Sequence, residues 1–382
     1  MNKPKVALIR GRFLNQFDMQ SYIPLSSHYD ITAFASQNPM HVDLPFPVAL
    51  LTSPTDLPEF SKKMPLLNRL FVDANYLFGL ENRLKGFAIA HTAETYYHYT
   101  HQALLAKRKK HVKKVITTVW ENIPFNNEGI WGRKKFKEDA RNEIDHFIAV
   151  SELAKKALVQ EGTDPEKISV VTPGIDIRKF FPEKNHFEKI GNKKKELTIL
   201  FVGRFEVYKG VMDILEAAVD LKNDKKLSTY TLNYIFVGQG SQKENMKNYA
   251  KLYGLDKNIM YMTADYGSIP EVYTMADIFV APSKKDKYWQ EQYGMMLLEA
   301  QASGLPIVTT SSGAIPENIK DAGIMIGEGE VKELGEAIKE FIFSPEKRVQ
   351  FGQKARKRAE KFHDVSIFAS KIDKIYKDVL FL

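Results

Sequence analysis

The chain has 382 residues, 44% hydrophobic and 27% charged, with no cysteine and a formal net charge of +8. These values exclude a disulfide framework, a thiolate metal site and a disordered chain, and no apolar run approaches the roughly 18 residues of a membrane span. The length exceeds one comfortable hydrophobic core and predicts two domains, while the positive charge favours anionic partners.

The start, MNKPKVALIRGRF, holds an apolar stretch too short for a signal peptide and reads as a first strand. Strands are then predicted at YDITAFA, FPVALL, KGFAIA, KKVITTVW, HFIAVS and ISVVTP. In the second half they are predicted at LTILFVG, LNYIFVG, NIMYMT, DIFVAP, PIVTT and GIMIG. Strands alternating with helical stretches imply βαβ units, and continuous apolar runs imply burial on both sheet faces. The fold class is therefore α/β, with two Rossmann-like parallel-sheet domains facing each other across a cleft. Ligands are expected at the carboxyl ends of the strands.

The polar, lysine-rich stretch KFFPEKNHFEKIGNKKKEL, residues 179–197, reads as the linker. The expected division is an N-terminal domain over 1–180 and a second over 181–361. Residues 362–382, FHDVSIFASKIDKIYKDVLFL, space Ile367, Phe368, Ile372, Ile375 and Leu380 as on a helix. That helix either ends the second domain or crosses back onto the first, and crossing back is the expectation adopted.

Two stretches of the first half carry chemistry. His101 to Lys114 holds six Lys/Arg and no acid. It is either a solvated helix end or, through Lys107 to Lys114, a contact with anionic lipid or a charged acceptor. Nucleic acid is not expected, because no nucleic-acid motif accompanies the run. HTAETYYHYTHQAL places His91, His98 and His101 after the strand KGFAIA. His98 and His101 share a helix face at a spacing a metal could use, but no third ligand is evident. The stretch either lines the acceptor side of the cleft or packs as ordinary core.

The second half is denser. LTILFVGRFEVYKG ends a strand at Gly203 and Arg204 and continues to Lys209 and Gly210. A tight glycine turn, an arginine fork and a lysine point charge near a helix start suit a diphosphate. IFVGQG, with Gly238 and Gly240, repeats the turn logic but is weak alone. In EQYGMMLLEAQASGLPIVTT, Glu291 precedes a helix that reads as amphipathic, Gly294 opens it and Glu299 lies inside it. A carboxylate in so apolar a segment needs a partner if buried, and sugar or ribose hydroxyls are such partners. Solvated charges or internal ion pairs are the alternatives for both acids.

GRFEVYKG, IFVGQG, ADIFVAPS, EQYGMMLLEAQASGLPIVTT and GAIPE stand in the order seen in retaining nucleotide-sugar glycosyltransferases of family 4, which the chain resembles. DHFIAVSELAKKAL and VVTPGIDIRKFFP are similar to that family's end of the N-terminal domain. The resemblance is dense from about residue 145 to the end and sparse before it. It implies the GT-B fold, and a hexosyl transfer from a UDP-, GDP- or ADP-sugar to a sugar or lipid-linked acceptor. Such a reaction would serve glycolipid or cell-surface polysaccharide synthesis. Carried over, Arg204 and Lys209 would hold the diphosphate with Gly203 beside them. Glu291 would contact the transferred sugar, Glu299 the ribose, and the backbone at Gly294, Met295 and Met296 a phosphate.

The resemblance also implies no metal and no other cofactor, because the two cations replace it. The chain offers no Asp-x-Asp pair, its nearest stretch being KKDKYW. The absence of cysteine suits a reducing, cytoplasmic interior, and the basic run suits a peripheral place at the inner face of the membrane. The chain departs from the family in two places. After the first strand it has one glycine, Gly11, followed by Arg12, where the family often has a glycine-rich turn. Trp120, followed by Glu121, stands where the family commonly has a histidine. Trp120 stacking on a sugar, or Glu121 reaching it, are the replacements weighed against packing, with His98 as a further acceptor contact. A non-catalytic sugar-nucleotide-binding subunit and a GT-B epimerase or phosphorylase remain alternatives. A dehydrogenase is disfavoured by the lack of a strand-linked GxGxxG.

Overall fold

The computed structural model describes residues 3–183, 185–192 and 195–381. Among them, thirteen strands form two parallel sheets. The first contains β1 (Lys5–Ile9), β2 (Asp30–Ala35), β3 (Val48–Leu50), β4 (Phe87–Ala93), β5 (Val112–Val119), β6 (His146–Ala149) and β7 (Ile168–Val170), in the order β3-β2-β1-β4-β5-β6-β7. The second contains β8 (Glu196–Val202), β9 (Thr231–Val237), β10 (Ile259–Met262), β11 (Ile278–Ala281), β12 (Ile307–Thr310) and β13 (Ile324–Ile326), in the order β10-β9-β8-β11-β12-β13. Every strand read from the sequence is present. The strand order reverses between β1 and β4 in one sheet and between β8 and β11 in the other, which is where open α/β sheets bind ligands.

Parity along the strands explains the apolar runs. Ala7 and Ile9 of β1, with Ala90, Val115 and Phe147, feed one face of the first sheet. Val6 and Leu8, with Ile89, Ile116 and Ile148, feed the other. A strand buried on both faces has no polar side, so alternation is lost. The second sheet is covered by the helices Val211–Asn223 and Val331–Phe343, which supply Ile214, Leu215, Ala218, Leu334, Ile338 and Phe341 to its core.

The chain divides into one unit of residues 1–174 and 365–382 and another of 175–364. The final helix, Val365–Phe381, packs Phe368, Ile372, Ile375, Tyr376 and Val379 against the Val6 and Leu8 face of the first sheet. His91, read as following its strand, lies inside β4 on that same face. It bonds Tyr376 Oη through Nδ1 at 2.6 Å and Thr118 Oγ1 through Nε2 at 2.7 Å. His91 is therefore a clamp for the last helix.

The stretch read as a linker differs from that reading. Lys184, Lys193 and Lys194 lie outside the described residues. Around them Phe180 and Ile190 are buried, and His186–Gly191 is helical. His186 bonds Gly304 O at 3.0 Å, and the buried Arg348 donates to Ile190 O at 2.6 Å. Three anchors among many lysines leave no visible periodicity, yet they fix the segment to the second unit. No helix of the described residues is long and apolar enough to cross a membrane.

Candidate active site

The second unit brings three predicted residues to the reversal point of its sheet. After β8 the chain turns through Gly203 and Arg204 into a short 3-10 turn, Val207–Lys209, before the helix Val211–Asn223. After the neighbouring β11 it runs through Ser283 to Glu291. Gly210, at φ +68°, lets the two loops touch: a side-chain carbon there would lie 2.1 Å from Pro282 O. That contact requires glycine on both counts.

Lys209 and Glu291 are both buried, and Lys209 Nζ donates to Glu291 Oε2 at 2.6 Å. Ser283 Oγ donates to the same oxygen at 3.0 Å. Lys209 Nζ also lies 4.6 Å from the centre of the Trp289 ring, a cation–π distance. Trp289 packs on Tyr208, ring centres 4.2 Å apart, and the exposed Arg204 sits 5.4 Å over Tyr208. The order Arg204, Tyr208, Trp289, Lys209 thus places two cations along two aromatic rings. Asp286, the acid of KKDKYW, accepts from the Tyr288 and Trp289 amides at 2.7 and 2.8 Å. It shapes the turn that presents Trp289.

Glu291 is held from behind by SSGAIPE. Gly313, at φ +55°, packs so closely that a side-chain carbon would lie 2.1 Å from Glu291 O, which accepts from the Ala314 amide at 2.9 Å. Asn318 donates to Tyr293 O and Gly294 O at 2.6 and 3.2 Å, and Gln301 donates to Asn318 at 2.7 Å. These bonds fix the start of the helix Met295–Ala302, whose first turn has no side-chain cap. A side-chain carbon at Gly294, whose φ is +84°, would lie 2.9 Å from Leu297 Cδ1 and 3.6 Å from Glu291 Cγ.

That helix is not amphipathic, contrary to the sequence reading. Leu297 through Ala302 are all buried, Glu299 and Gln301 included. A helix enclosed on all sides must satisfy its polar groups internally. Glu299 accepts from Tyr273 Oη at 2.7 Å, and Tyr273 also donates to Met296 O at 3.2 Å. Burial pushes the Glu299 carboxyl up to about 7, against the hydrogen bonds of Tyr273 and Tyr266. The turn after β9 is stitched to the Gly203–Phe205 segment by Phe205 N to Gln239 O (2.8 Å) and Gln242 N to Phe205 O (2.9 Å).

The other predicted residues belong to the first unit. Gly11 is buried after β1 against the Tyr99 ring, and Arg12 bonds Met64 Sδ. Trp120 and Glu121 follow β5. The Glu121 carboxyl, raised chiefly by burial, accepts the Asn122 and Ile123 amides on one oxygen and the Asn126 and Asn127 side chains on the other. It organises its own loop. His98 Nδ1 bonds Phe71 O at 2.6 Å, and His101 stacks on Phe136 with ring centres 4.3 Å apart. The described residues hold no group of three His, Cys, Asp or Glu placed to bind a metal. In the basic run, Lys107 and Lys114 pair with Asp145, and Arg108 with Glu143. Lys109, Lys110 and Lys113 are exposed.

Sequence reasoning missed Ser283, Tyr208, Trp289, Tyr273 and Glu94. Ser283, Tyr208, Trp289 and Glu94 lay within stretches already quoted, ADIFVAPS, GRFEVYKG, KKDKYW and HTAETYYHYTHQAL. Tyr273 comes from a separate helix, Ile269–Thr274, with nothing in the sequence to link it to Glu299.

Residues 182–358 match the model of glycosyl transferases group 1, and residues 37–179 match Glycosyltransferase Family 4. The chain belongs to the group 1, family 4 glycosyltransferases. Within that family it is 26% identical over 262 residues to a D-inositol 3-phosphate glycosyltransferase of Corynebacterium kroppenstedtii, covering 65% of this chain and 56% of the relative. It is 30% identical over 213 residues to spore coat protein SA of Bacillus subtilis, covering 51% and 54%. The family 4 chain thus spans about half the length of the curated relatives it matches. An Anabaena protein, HepE, solved in complex with UDP and glucose, has the same fold: TM-score 0.78 at 16% identity, covering 98% of this chain and 99% of that one. The apo form of the lipopolysaccharide outer core galactosyltransferase WaaB superposes with TM-score 0.65 at 17% identity, covering 98% and 99%.

Proposed function

We propose that the protein transfers a sugar from a nucleoside-diphosphate sugar to a hydroxyl acceptor, with retention of configuration, in glycolipid or cell-surface polysaccharide synthesis. The observation that carries this reading is the buried Lys209–Glu291 pair at adjoining strand ends, with Arg204 beside it. The family and the UDP and glucose bound by HepE support it.

In this mechanism the bond from the anomeric carbon to the diphosphate breaks while a bond to the acceptor oxygen forms on the same face. The acceptor proton passes to the departing phosphate oxygen. Arg204 and Lys209 stabilise the charge that develops on the diphosphate, and preorganised cations do so at little reorganisation cost. They supply what a metal would otherwise supply, so chelation with EDTA should leave turnover unchanged. Glu291 accepts hydroxyls of the transferred sugar, Glu299 accepts ribose hydroxyls, and the amides at Gly294 to Met296 face a phosphate. Residues 175–364 form the donor unit; residues 1–174 with the last helix serve the acceptor. Peripheral association with the inner membrane face would use Lys109, Lys110 and Lys113.

The first experiment is titration of the full chain with UDP, GDP and ADP. One nucleotide should bind, and Lys209→Ala should weaken it at least tenfold; three nucleotides without affinity would overturn the reading. Trp120 in the place of the family histidine favours the second reading, a subunit that binds sugar nucleotides without turnover. Nucleotide binding without release from any UDP-, GDP- or ADP-sugar would select it. An epimerase or phosphorylase would be selected by an altered sugar nucleotide or by phosphate-dependent release.

A further inference from the structure

Glu94 follows β4 and is not used by the donor chemistry above. It is a non-glycine residue at φ +59° and only 4% exposed. Its Oε1 accepts from the Trp120 and Glu121 amides at 2.9 and 3.1 Å. Its Oε2 is buried without a hydrogen-bond partner. A left-handed backbone at a glutamate persists only where its surroundings enforce it, and buried carboxyl oxygens are seldom left unpaired.

Two further atoms share that condition near the helix start that is joined to Glu94 through Thr100 Oγ1, which donates to Glu94 O at 2.9 Å. Asn75 Oδ1 and Tyr99 Oη are also buried and unpartnered, although both residues are otherwise fixed. Asn75 donates its backbone and side-chain N–H groups to Asp73 Oδ1 at 3.0 and 2.9 Å, and Tyr99 N donates to Asn75 O at 3.1 Å. Both border Gly11: a side-chain carbon there would lie 3.3 Å from the Tyr99 ring and 3.8 Å from Asn75 Oδ1. Gly11 and Glu94 follow β1 and β4, the two strands at which this sheet reverses. Tyr97, stacked on Phe13 at 5.5 Å, adds apolar ring surface.

We propose that Glu94, Asn75 and Tyr99 form a subsite for a neutral polyhydroxyl ligand, in which Glu94 Oε2 holds one hydroxyl. Calling that ligand the acceptor rests on the glycosyl-transfer reading. A carboxyl, an amide oxygen and a phenol hold hydroxyls by donating and accepting, and aromatic faces suit sugar C–H edges. An anionic ligand is disfavoured. Acidic groups outnumber free cations here, because the cations acting on this corner, Arg10, Arg133 and Lys137, are paired with Asp18, Asp73 and Glu161. Burial first, then Glu121, pushes Glu94 up to about 8, with the Trp120 and Glu121 amides and Lys137 opposing. Tyr96, Tyr97 and Tyr99 are the other titratable groups facing it. At neutral pH the carboxyl therefore carries a proton it can donate to a hydroxyl oxygen.

The test is ligand-observed NMR on the full chain, saturated with UDP, with glycerol, myo-inositol and methyl glycosides of glucose, galactose and mannose as probes. At least one probe should bind at pH 7, and Glu94→Ala should weaken it at least tenfold. Glu94→Gln keeps the amide bonds through its side-chain oxygen. It should retain binding at pH 7 and lose the change in affinity that the wild type displays near pH 8. UDP binding should be equal in all three proteins. Absence of binding by every probe, unchanged affinity in Glu94→Ala, or a wild-type pH profile in Glu94→Gln would overturn the subsite. Loss of UDP affinity in either variant would also overturn it, marking Glu94 as structural. If UDP itself fails to bind, the donor reading fails, while probe binding still decides the subsite.

Discussion

Lys209 Nζ lies 2.6 Å from Glu291 Oε2, although the two residues stand 82 apart in the chain. Neighbouring strands β8 and β11 bring them together, and Ser283 and the Trp289 ring complete the surroundings. Both side chains are about nine-tenths removed from solvent. Such a pair is a poor source of stability as a whole, because desolvation offsets most of the attraction. Its value is placement: a cation and a carboxylate are held within hydrogen-bond distance of each other at adjoining strand ends.

The pair should behave as a unit. Breaking a buried pair leaves one uncompensated charge and costs about 3–5 kcal/mol, whereas replacing both members costs far less. Lys209→Met and Glu291→Gln should each destabilise the second unit by about 3 kcal/mol in urea unfolding. The double variant should lose markedly less than the two together. Additive losses would mean that the two groups are not coupled.

Trp289 gives an optical reading of the same site. The chain has three tryptophans, Trp120, Trp131 and Trp289. Trp289 alone contacts Lys209 among the described cation–ring pairs. Adding UDP should quench fluorescence in the wild type, Trp120→Phe and Trp131→Phe proteins, and leave Trp289→Phe unchanged. Trp289→Ala should weaken UDP binding by about 1 kcal/mol, the scale of a partly desolvated cation–π contact. A quench that survives Trp289→Phe would place the nucleotide elsewhere.

Glu299 sets a pH dependence. Its folded carboxyl titrates near 7 against an ordinary value of 4.5. Between those values the folded protein holds a proton that the unfolded chain has released. Stability therefore falls as pH rises through this window, by on the order of 3 kcal/mol, and levels off above it. Glu94, raised to about 8, adds a slope of the same sign that extends further. Glu299→Gln should remove its share of the slope. Because two ribose hydroxyls are best accepted by the ionised form, UDP affinity should rise more steeply from pH 6 to 8 in the wild type than in Glu299→Gln. Parallel curves would remove the ribose assignment.

The basic run predicts a selective effect. Lys107 and Lys114 share the single carboxylate of Asp145, so exchanging them for glutamine should weaken sedimentation with anionic vesicles only slightly. Exchanging the exposed Lys109, Lys110 and Lys113 should weaken it and flatten its salt dependence. Equal sedimentation with neutral vesicles would contradict an electrostatic contact.

The strands were legible because burial on both faces demands unbroken apolar runs, as in VALI of β1 and IFVA of β11. Lys209 and Glu291 were legible through the glycines beside them, Gly210 and Gly294, both at positive φ. The partners were not. Tyr273 reaches Glu299 from another helix, and Trp289 reaches Lys209 by a turn that Asp286 bends. No periodicity records either contact. The helix around Glu299 read as amphipathic because Glu299 and Gln301 are polar, yet tertiary hydrogen bonds let both be buried. The segment around Phe180 and Ile190 read as a linker because its anchors are few and its lysines many.

The most direct test is release of nucleoside diphosphate from UDP-, GDP- and ADP-sugars by the full chain, compared with Glu291→Ala and Lys209→Ala. Slow release from one donor is expected of the wild type, reduced at least a hundredfold in both variants. Release that persists undiminished in Glu291→Ala and Lys209→Ala would contradict it.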